Sequence, residues 1–309
     1  MEKYKFVVNP ISGRGAGARS IHEIREKLDN LKVNYDLVVT DKPWHAVELT
    51  KKAVRDGFTI VVAVGGDGTA NEVINGLMEA KDEKLGNAAM GMLTVGRGND
   101  FAFSMNIPVG LDKSLETLMA NKRRTIDIGH VRGGDYPQGR YFGNCIGIGF
   151  DAVVGFVAVK LKPLRGFSSY ILGALLTNYK YFKPPKIKAV FDKETLEDHF
   201  LMISVMNGRR LGGGFMMAPK GIPDDGVFDV CVTRKIPKGQ VLALIPHFMK
   251  GDQYNYEAVR LIQTTTLKTT AIDGSLPVHV DGETLCVEGK ELAIKLIKKQ
   301  IDLICQINE

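Results

Sequence analysis

Short apolar runs alternate with longer segments in which apolar residues recur every three or four positions along the first part of the chain. The runs Tyr4 to Asn9, Val33 to Thr40, Thr59 to Val64 and Ala89 to Val95 read as strands. Ala18 to Leu31, Trp44 to Asp56, the segment continuing to Met78, and Leu111 to Asn121 read as helices. Strands that are apolar without interruption are buried on both faces, as in a parallel sheet covered by helices. The strand–helix alternation therefore predicts a doubly wound, mostly parallel α/β sheet with ligands at the carboxyl ends of its strands. From His130 onward the pattern changes. Arg140 to Ile148, Lys186 to Phe191, Phe200 to Asn207, Val227 to Thr233 and Glu291 to Ile297 are short and alternating, which argues for an antiparallel β-sandwich or barrel. Lys122 to Gly129 reads as the crossing between an α/β domain over 1–128 and a β-sandwich domain over 129–309, the last strand packing back toward the first. Ala152 to Lys183 departs from the alternation with one or two apolar helices, read either as core packing or as a lipid-facing wall ringed by Lys160, Lys162, Arg165, Lys180 and Lys183.

Glycines mark the strand ends of the first half. Thr59 to Met78 runs from a strand through Gly65-Gly66-Asp67-Gly68-Thr69 into a helix. Glycines let a backbone turn sharply and approach a ligand, and the N-terminus of the following helix favours an anion. Asp67 would repel a phosphate unless a divalent cation stood between them, so the pattern predicts a nucleotide with Mg²⁺. A helix cap by Asp67 or Thr69 is the plainer reading. Asn9-Pro10-Ile11-Ser12-Gly13-Arg14-Gly15 is a second candidate phosphate loop, with a hydroxyl at Ser12 and a cation at Arg14. Its Gly13, Gly15 and Ala18, with Asp41 later, also fit a dinucleotide fingerprint, so an NAD(P)-dependent oxidoreductase remains a rival. Gly96-Arg97-Gly98-Asn99-Asp100 ends the fourth strand on the same sheet edge, and Thr40 should converge there as well.

Composition narrows the partners. The 309 residues exceed the usual span of one core, and nothing in them argues for disorder. No signal region or clean membrane span appears, so secretion is disfavoured and a cytoplasmic protein is expected. The four cysteines and six histidines are scattered, giving no support for a zinc site or a disulfide framework. A net charge of +6 suits a nucleotide, an anionic membrane surface or nucleic acid; no nucleic-acid-binding motif is present, which ranks nucleic acid last.

The second half carries its own acids. Ile222-Pro223-Asp224-Asp225-Gly226-Val227 places two carboxylates in a tight turn, where a hard cation would relieve their repulsion, with Asp225 and the carbonyls of Ile222 and Val227 as a partial oxygen cage. An ordinary Asp-Gly turn is the alternative. Val280-Asp281-Gly282-Glu283 places an acid at a strand end, and Glu283 could serve as a general base.

These motifs, together with Asn71-Glu72-Val73, Ile126-Asp127-Ile128-Gly129, Gly212-Gly213-Gly214-Phe215 and Ala218-Pro219, resemble the diacylglycerol kinase catalytic domain family in its soluble bacterial lipid kinase form, related to sphingosine and ceramide kinases. Gly65 to Thr69 alone would suit NAD kinases and phosphofructokinases too. The resemblance runs nearly the whole chain. It implies ATP bound between an α/β domain and a β-sandwich domain of the NAD kinase/diacylglycerol kinase type, with the γ-phosphoryl passed to a lipid hydroxyl, foremost that of diacylglycerol. It assigns the nucleotide to Asn9, Ser12, Arg14, Thr40, Gly66, Asp67, Gly68 and Thr69, the catalytic Mg²⁺ to Asp67 and Asp100, and the base to Glu283. It implies a structural Mg²⁺ at Ile222, Asp225 and Val227, linked through Asp224, and peripheral contact with the inner face of a membrane. Arg97 stands where the family usually has threonine. Oligomeric state is open, with a homodimer among the alternatives, and a non-catalytic nucleotide or lipid sensor is a further rival.

Overall fold

A computed structural model of the protein describes residues 2–96, 98–161, 167–181 and 183–307. The chain forms two compact units: residues 1–127 with 299–309, and residues 128–298. The first unit runs β1 (Tyr4–Val8), α1 (Ser12–Asn30), β2 (Tyr35–Val39), α2 (His45–Arg55), β3 (Ile60–Gly65), α3 (Asp67–Asp82), β4 (Ala89–Thr94), α4 (Asp100–Ser104) and α5 (Leu111–Ala120). β1 pairs in parallel with both β2 and β3, and β3 pairs in parallel with β4. Every residue of β1, β3 and β4 is buried, which is why their sequences are apolar without alternation. β2 lies on the edge and is half exposed. α2 and α3 cover one face at close range: a methyl group on Gly76 would stand 2.8 Å from the Val47 carbonyl oxygen. The Asn71-Glu72 pair belongs to this packing, because Glu72 Oε2 accepts the Ala46 N–H at the start of α2.

The expected crossing at residues 122–129 falls in a long strand, β5 (Arg123–Gly133), whose buried middle carries Ile126, Asp127 and Ile128, and the boundary between the two units lies between Asp127 and Ile128. The second unit continues with β6 (Tyr136–Phe142), β7 (Cys145–Gly149), α6 (Phe150–Lys160), α7 (Phe167–Leu176), a π-helical turn (Thr177–Tyr181), β8 (Lys186–Phe191), β9 (Thr195–Met206), β10 (Phe228–Arg234), α8 (Lys238–Lys250), β11 (Val259–Thr264), β12 (Thr266–Asp273), β13 (Leu276–Val280), β14 (Glu283–Gly289) and β15 (Glu291–Ile304). Two antiparallel layers result. β9 belongs to both: residues 195–199 pair with β8, and residues 202–206 pair with β7 and β10. Inward residues such as Ile146, Ile148, Ile203, Val205, Val230, Val278 and Val280 fill the space between the layers. The opposite face of the β13-β7-β9-β10 layer carries Cys145, Met202, Met206 and Cys231, covered by Phe150, Val154 and Ala174 of α6 and α7 and by Val241, Leu244 and Phe248 of α8.

The last strand serves both units. Its residues 291–295 pair with β12, and Leu303 pairs in parallel with Met90 of β4. Arg140 to Ile148, expected as one strand, is broken at Gly143-Asn144 for a reason given below. Arg97, Lys162 and Arg165, and the side chain of Lys180, lie outside the described residues. The four cysteines are buried, and none is in a disulfide.

Candidate active site

Register aligns the strand ends of the first unit. Val8 lies opposite Val39 on one side and Val64 on the other, and Gly65 lies opposite Thr94. Thr40, Asn9, Gly66 and Val95 therefore leave the sheet side by side. The loops they open meet backbone to backbone. A methyl group on Gly96 would stand 2.4 Å from Gly66 Cα, and one on Gly13 2.2 Å from the Val95 carbonyl oxygen. Only glycine permits such an approach. Gly13, Arg14 and Gly15 all take left-handed backbone angles (φ 58°, 59° and 82°), so the regular part of α1 begins after them. Asn9 ties two loops together: its Nδ2 donates to Thr69 Oγ1 at 3.2 Å, and its Oδ1 accepts the Ile11 N–H at 3.2 Å. Thr69 is buried with its hydroxyl against Gly65, whereas Ser12 is half-buried, 3.8 Å from where a Gly66 side chain would begin. Thr40 is buried and donates its N–H to the Val8 carbonyl. Arg14 is exposed, and its carbonyl accepts from Arg19 at 3.1 Å.

Asp67 reaches across the gap between loops. Its Oδ1 accepts the Phe101 N–H at 2.9 Å, at the start of α4. A methyl group on Gly98 would stand 2.8 Å from Asp67 Oδ2 and 3.9 Å from Asp100 Oδ2. The two carboxylates thus flank one glycine, with Asp100 buried. Among the described residues no group of three or more histidines, cysteines and acids could hold a metal. Two carboxylate oxygens do fit Mg²⁺, which characteristically takes one or two protein carboxylates and completes its shell with substrate phosphates and water.

In the second unit, Asp281 and Gly282 take positive φ (47° and 87°) and form the two-residue turn between β13 and β14, with Glu283 exposed as its first strand residue. The Asp281 carboxylate is buried and accepts the N–H groups of Gly143 (2.9 Å), Asn144 (3.0 Å) and Cys145 (2.7 Å). Those bonds cap the break between β6 and β7. Arg140 of β6 is buried. Burial pushes its guanidinium down from the ordinary value, and Tyr136, Asp281 and Glu283 oppose that shift in turn. Neither Arg140 nor Asp281 stands out in the sequence as a chemical residue.

The Asp224-Asp225-Gly226 turn has other neighbours. Asp225 is exposed, its Oδ1 accepts the Val227 N–H at 3.1 Å, and a methyl group on Gly226 (φ 83°) would stand 2.8 Å from Lys298 Nζ. The Lys298 ammonium thus lies beside Gly226 in this turn, and one Asp225 oxygen is engaged by a backbone N–H.

A buried polar row lies beneath α6. Register sets His279, Gly147, Ser204 and Cys231 opposite one another across β13, β7, β9 and β10. Ser204 Oγ donates to Asp151 Oδ2 at 2.6 Å. Burial raises the Asp151 carboxyl, against the opposing effect of His279, and pushes the Cys231 thiol up to about 12. The serine donates to the aspartate rather than to the histidine, so this is not a nucleophile relayed through an imidazole base.

Comparison with known proteins gives this geometry its context. Residues 3–131 match the diacylglycerol kinase catalytic domain, and residues 144–297 match the YegS C-terminal NAD kinase beta sandwich-like domain. A diacylglycerol kinase of Bacillus subtilis is 25% identical over 285 residues, covering 92% of this chain and 90% of its own. One of Mycobacterium tuberculosis is 25% identical over 287 residues, covering 92% and 89%. The crystal structure of a diacylglycerol kinase from Bacillus anthracis superimposes with a TM-score of 0.75 at 19% identity, covering 99% of this chain and 97% of that one, and supports the fold. With its α/β unit matched by one family model and its β-sandwich unit by the other, the chain belongs to the diacylglycerol kinase catalytic domain family of lipid kinases.

Proposed function

We propose that the protein transfers the γ-phosphoryl group of ATP to the hydroxyl of a lipid, with diacylglycerol as the first acceptor to test. The observation that carries this reading is the meeting of the three glycine loops after β1, β3 and β4, with Asp67 and Asp100 on either side of Gly98. Loop N–H groups and Ser12 bind and orient the triphosphate, while Asn9 and Thr69 hold the loops together. Asp67 and Asp100 would hold Mg²⁺, which when bound would supply neutralisation of phosphate charge. Glu283 takes the proton of the lipid hydroxyl, the alcohol oxygen bonds to the γ-phosphorus, and the bond from that phosphorus to the β–γ bridging oxygen breaks, releasing ADP.

The lipid reaches the protein at a membrane surface in this reading. α6 and α7 expose Val159 and Leu175, and Tyr179 of the following turn is 76% exposed. Exposed Lys160 and Lys183 lie at the ends of this region, and Lys238 Nζ stands over the Tyr179 ring at 5.8 Å. Apolar side chains ringed by ammonium groups suit peripheral binding to anionic lipid. Among the described residues no helix is long and apolar enough to cross a membrane.

The test is transfer of labelled phosphate from ATP to a panel of lipids in mixed micelles, with Glu283→Gln alongside. The variant is expected to lose transfer and to keep ATP binding, measured by thermal shift. Turnover equal to that of the parent in Glu283→Gln would remove the base from this scheme.

A further inference from the structure

We infer that Asp281 is a positioning residue for Glu283: its buried carboxylate clamps the turn that carries Glu283 onto the break between β6 and β7. This rests on the reading of Glu283 as the base. The carboxylate accepts three successive backbone N–H groups, from Gly143, Asn144 and Cys145, and the Asp281 N–H returns to the Cys145 carbonyl at 2.9 Å. Four bonds to one short segment fix both the place and the tilt of the turn. Its backbone needs such help, since Asp281 is a non-glycine residue in the left-handed region, held there with Gly282 beside it.

Charge gives the clamp a second effect. Arg140 is buried, and Asp281 and Glu283 are the two carboxylates whose attraction counters the cost of that burial, after Tyr136. The guanidinium divides its attraction between these two acids, and Glu283 is exposed. With an amide at 281, Glu283 is the remaining carboxylate whose attraction opposes the burial of Arg140. An amide at 281 would also turn an N–H₂ group toward N–H donors of residues 143–145, a repulsive pairing where three bonds now stand. The acid of Asp-Gly-Glu is therefore not an interchangeable turn residue.

The experiment compares Asp281→Asn, Glu283→Gln and the parent in ATP-dependent phosphorylation of diacylglycerol micelles, with activity expressed per folded molecule from thermal melts. Gly143→Pro removes one of the three donors without touching Asp281, and stands in if Asp281→Asn does not fold. We expect kcat to fall on the order of 10²-fold in Asp281→Asn, as for a misplacement of about 1 Å. Gly143→Pro should show a smaller fall, and the KM for ATP should stay within about twofold of the parent in both. Parental kcat in both variants, or a loss accounted for by unfolded protein, overturns the inference. An active Glu283→Gln defeats instead the reading of the base on which the inference stands.

Discussion

Substituting Gly98 by alanine tests the carboxylate pair with one methyl group. The added carbon would stand 2.8 Å from Asp67 Oδ2, about 0.5–1 Å inside ordinary contact. Asp67 is not free to swing aside, because its Oδ1 holds the Phe101 N–H at 2.9 Å. Relief therefore moves the carboxylate and weakens that charge-assisted bond, at a cost of about 1.5–3 kcal/mol. A loss of about 1.5–3 kcal/mol corresponds to a Tm lower by roughly 3–12 °C. Activity should suffer far more, since moving one of the two oxygens proposed to hold the metal by about 1 Å would cost on the order of 10²-fold in rate. Labelled-ATP transfer to diacylglycerol micelles, read beside a thermal melt, separates the two effects. Gly98→Ala protein with transfer within threefold of the parent would refute the pairing of Asp67 and Asp100 in one site.

Two further tests concern stability in the second unit. Burial alone would raise the Asp192 carboxyl, but the Thr266 and Thr265 hydroxyls and the Thr265 N–H hold it at about 2, below its unfolded value near 3.9. The stabilisation is thus present above about pH 4 and disappears between about pH 4 and 2; after allowance for exposure it is worth about 1 kcal/mol. Denaturant titrations of Asp192→Asn should lack that acid-dependent component, and an unchanged pH profile would remove it from Asp192. Gly147→Ala would place a methyl group 2.2 Å from His279 Nε2 and 2.5 Å from Asp151 Oδ2. Crowding of two buried polar side chains predicts a loss of about 2–4 kcal/mol, and a midpoint equal to the parent's would contradict the packing beneath α6.

The first half was legible because its signals are local. Uninterrupted apolar runs, helical spacing and glycines at strand ends lie within a few residues of one another, and the loops they open do meet. The left-handed run at Gly13 to Gly15 was hidden, because φ is not written in a Gly-Arg-Gly triplet. α8 was missed although Val241, Leu244 and Phe248 keep helical spacing, since Pro237 and Pro246 punctuate it as a loop would be punctuated. That the crossing is itself a strand was hidden, because the charged start of β5 masks the apolar alternation of Ile126 and Ile128. Asp281 was visible as part of a motif, but its use depends on partners 136 to 138 positions away in the chain. Arg140 becomes notable only through burial, which strand pairing decides. For the Asp225 turn the sequence named the acids but not Lys298, which lies beside Gly226 from a strand far along the chain.

The return of residues 299–309 to the first unit has a consequence for synthesis. A ribosome makes the α/β sheet early, yet the partner of Met90 at Leu303 emerges only after the whole β-sandwich has been translated. Until then the β4 edge offers unpaired N–H and C=O groups to any strand within reach, a template for intermolecular pairing. Folding in the order of synthesis is thus interrupted at its first unit, and the second unit has time to form while the first waits. A fragment ending at Asp127 would carry the same open edge permanently. The α/β unit is therefore one body built from two separated stretches of chain, and its completion depends on residues made after the β-sandwich.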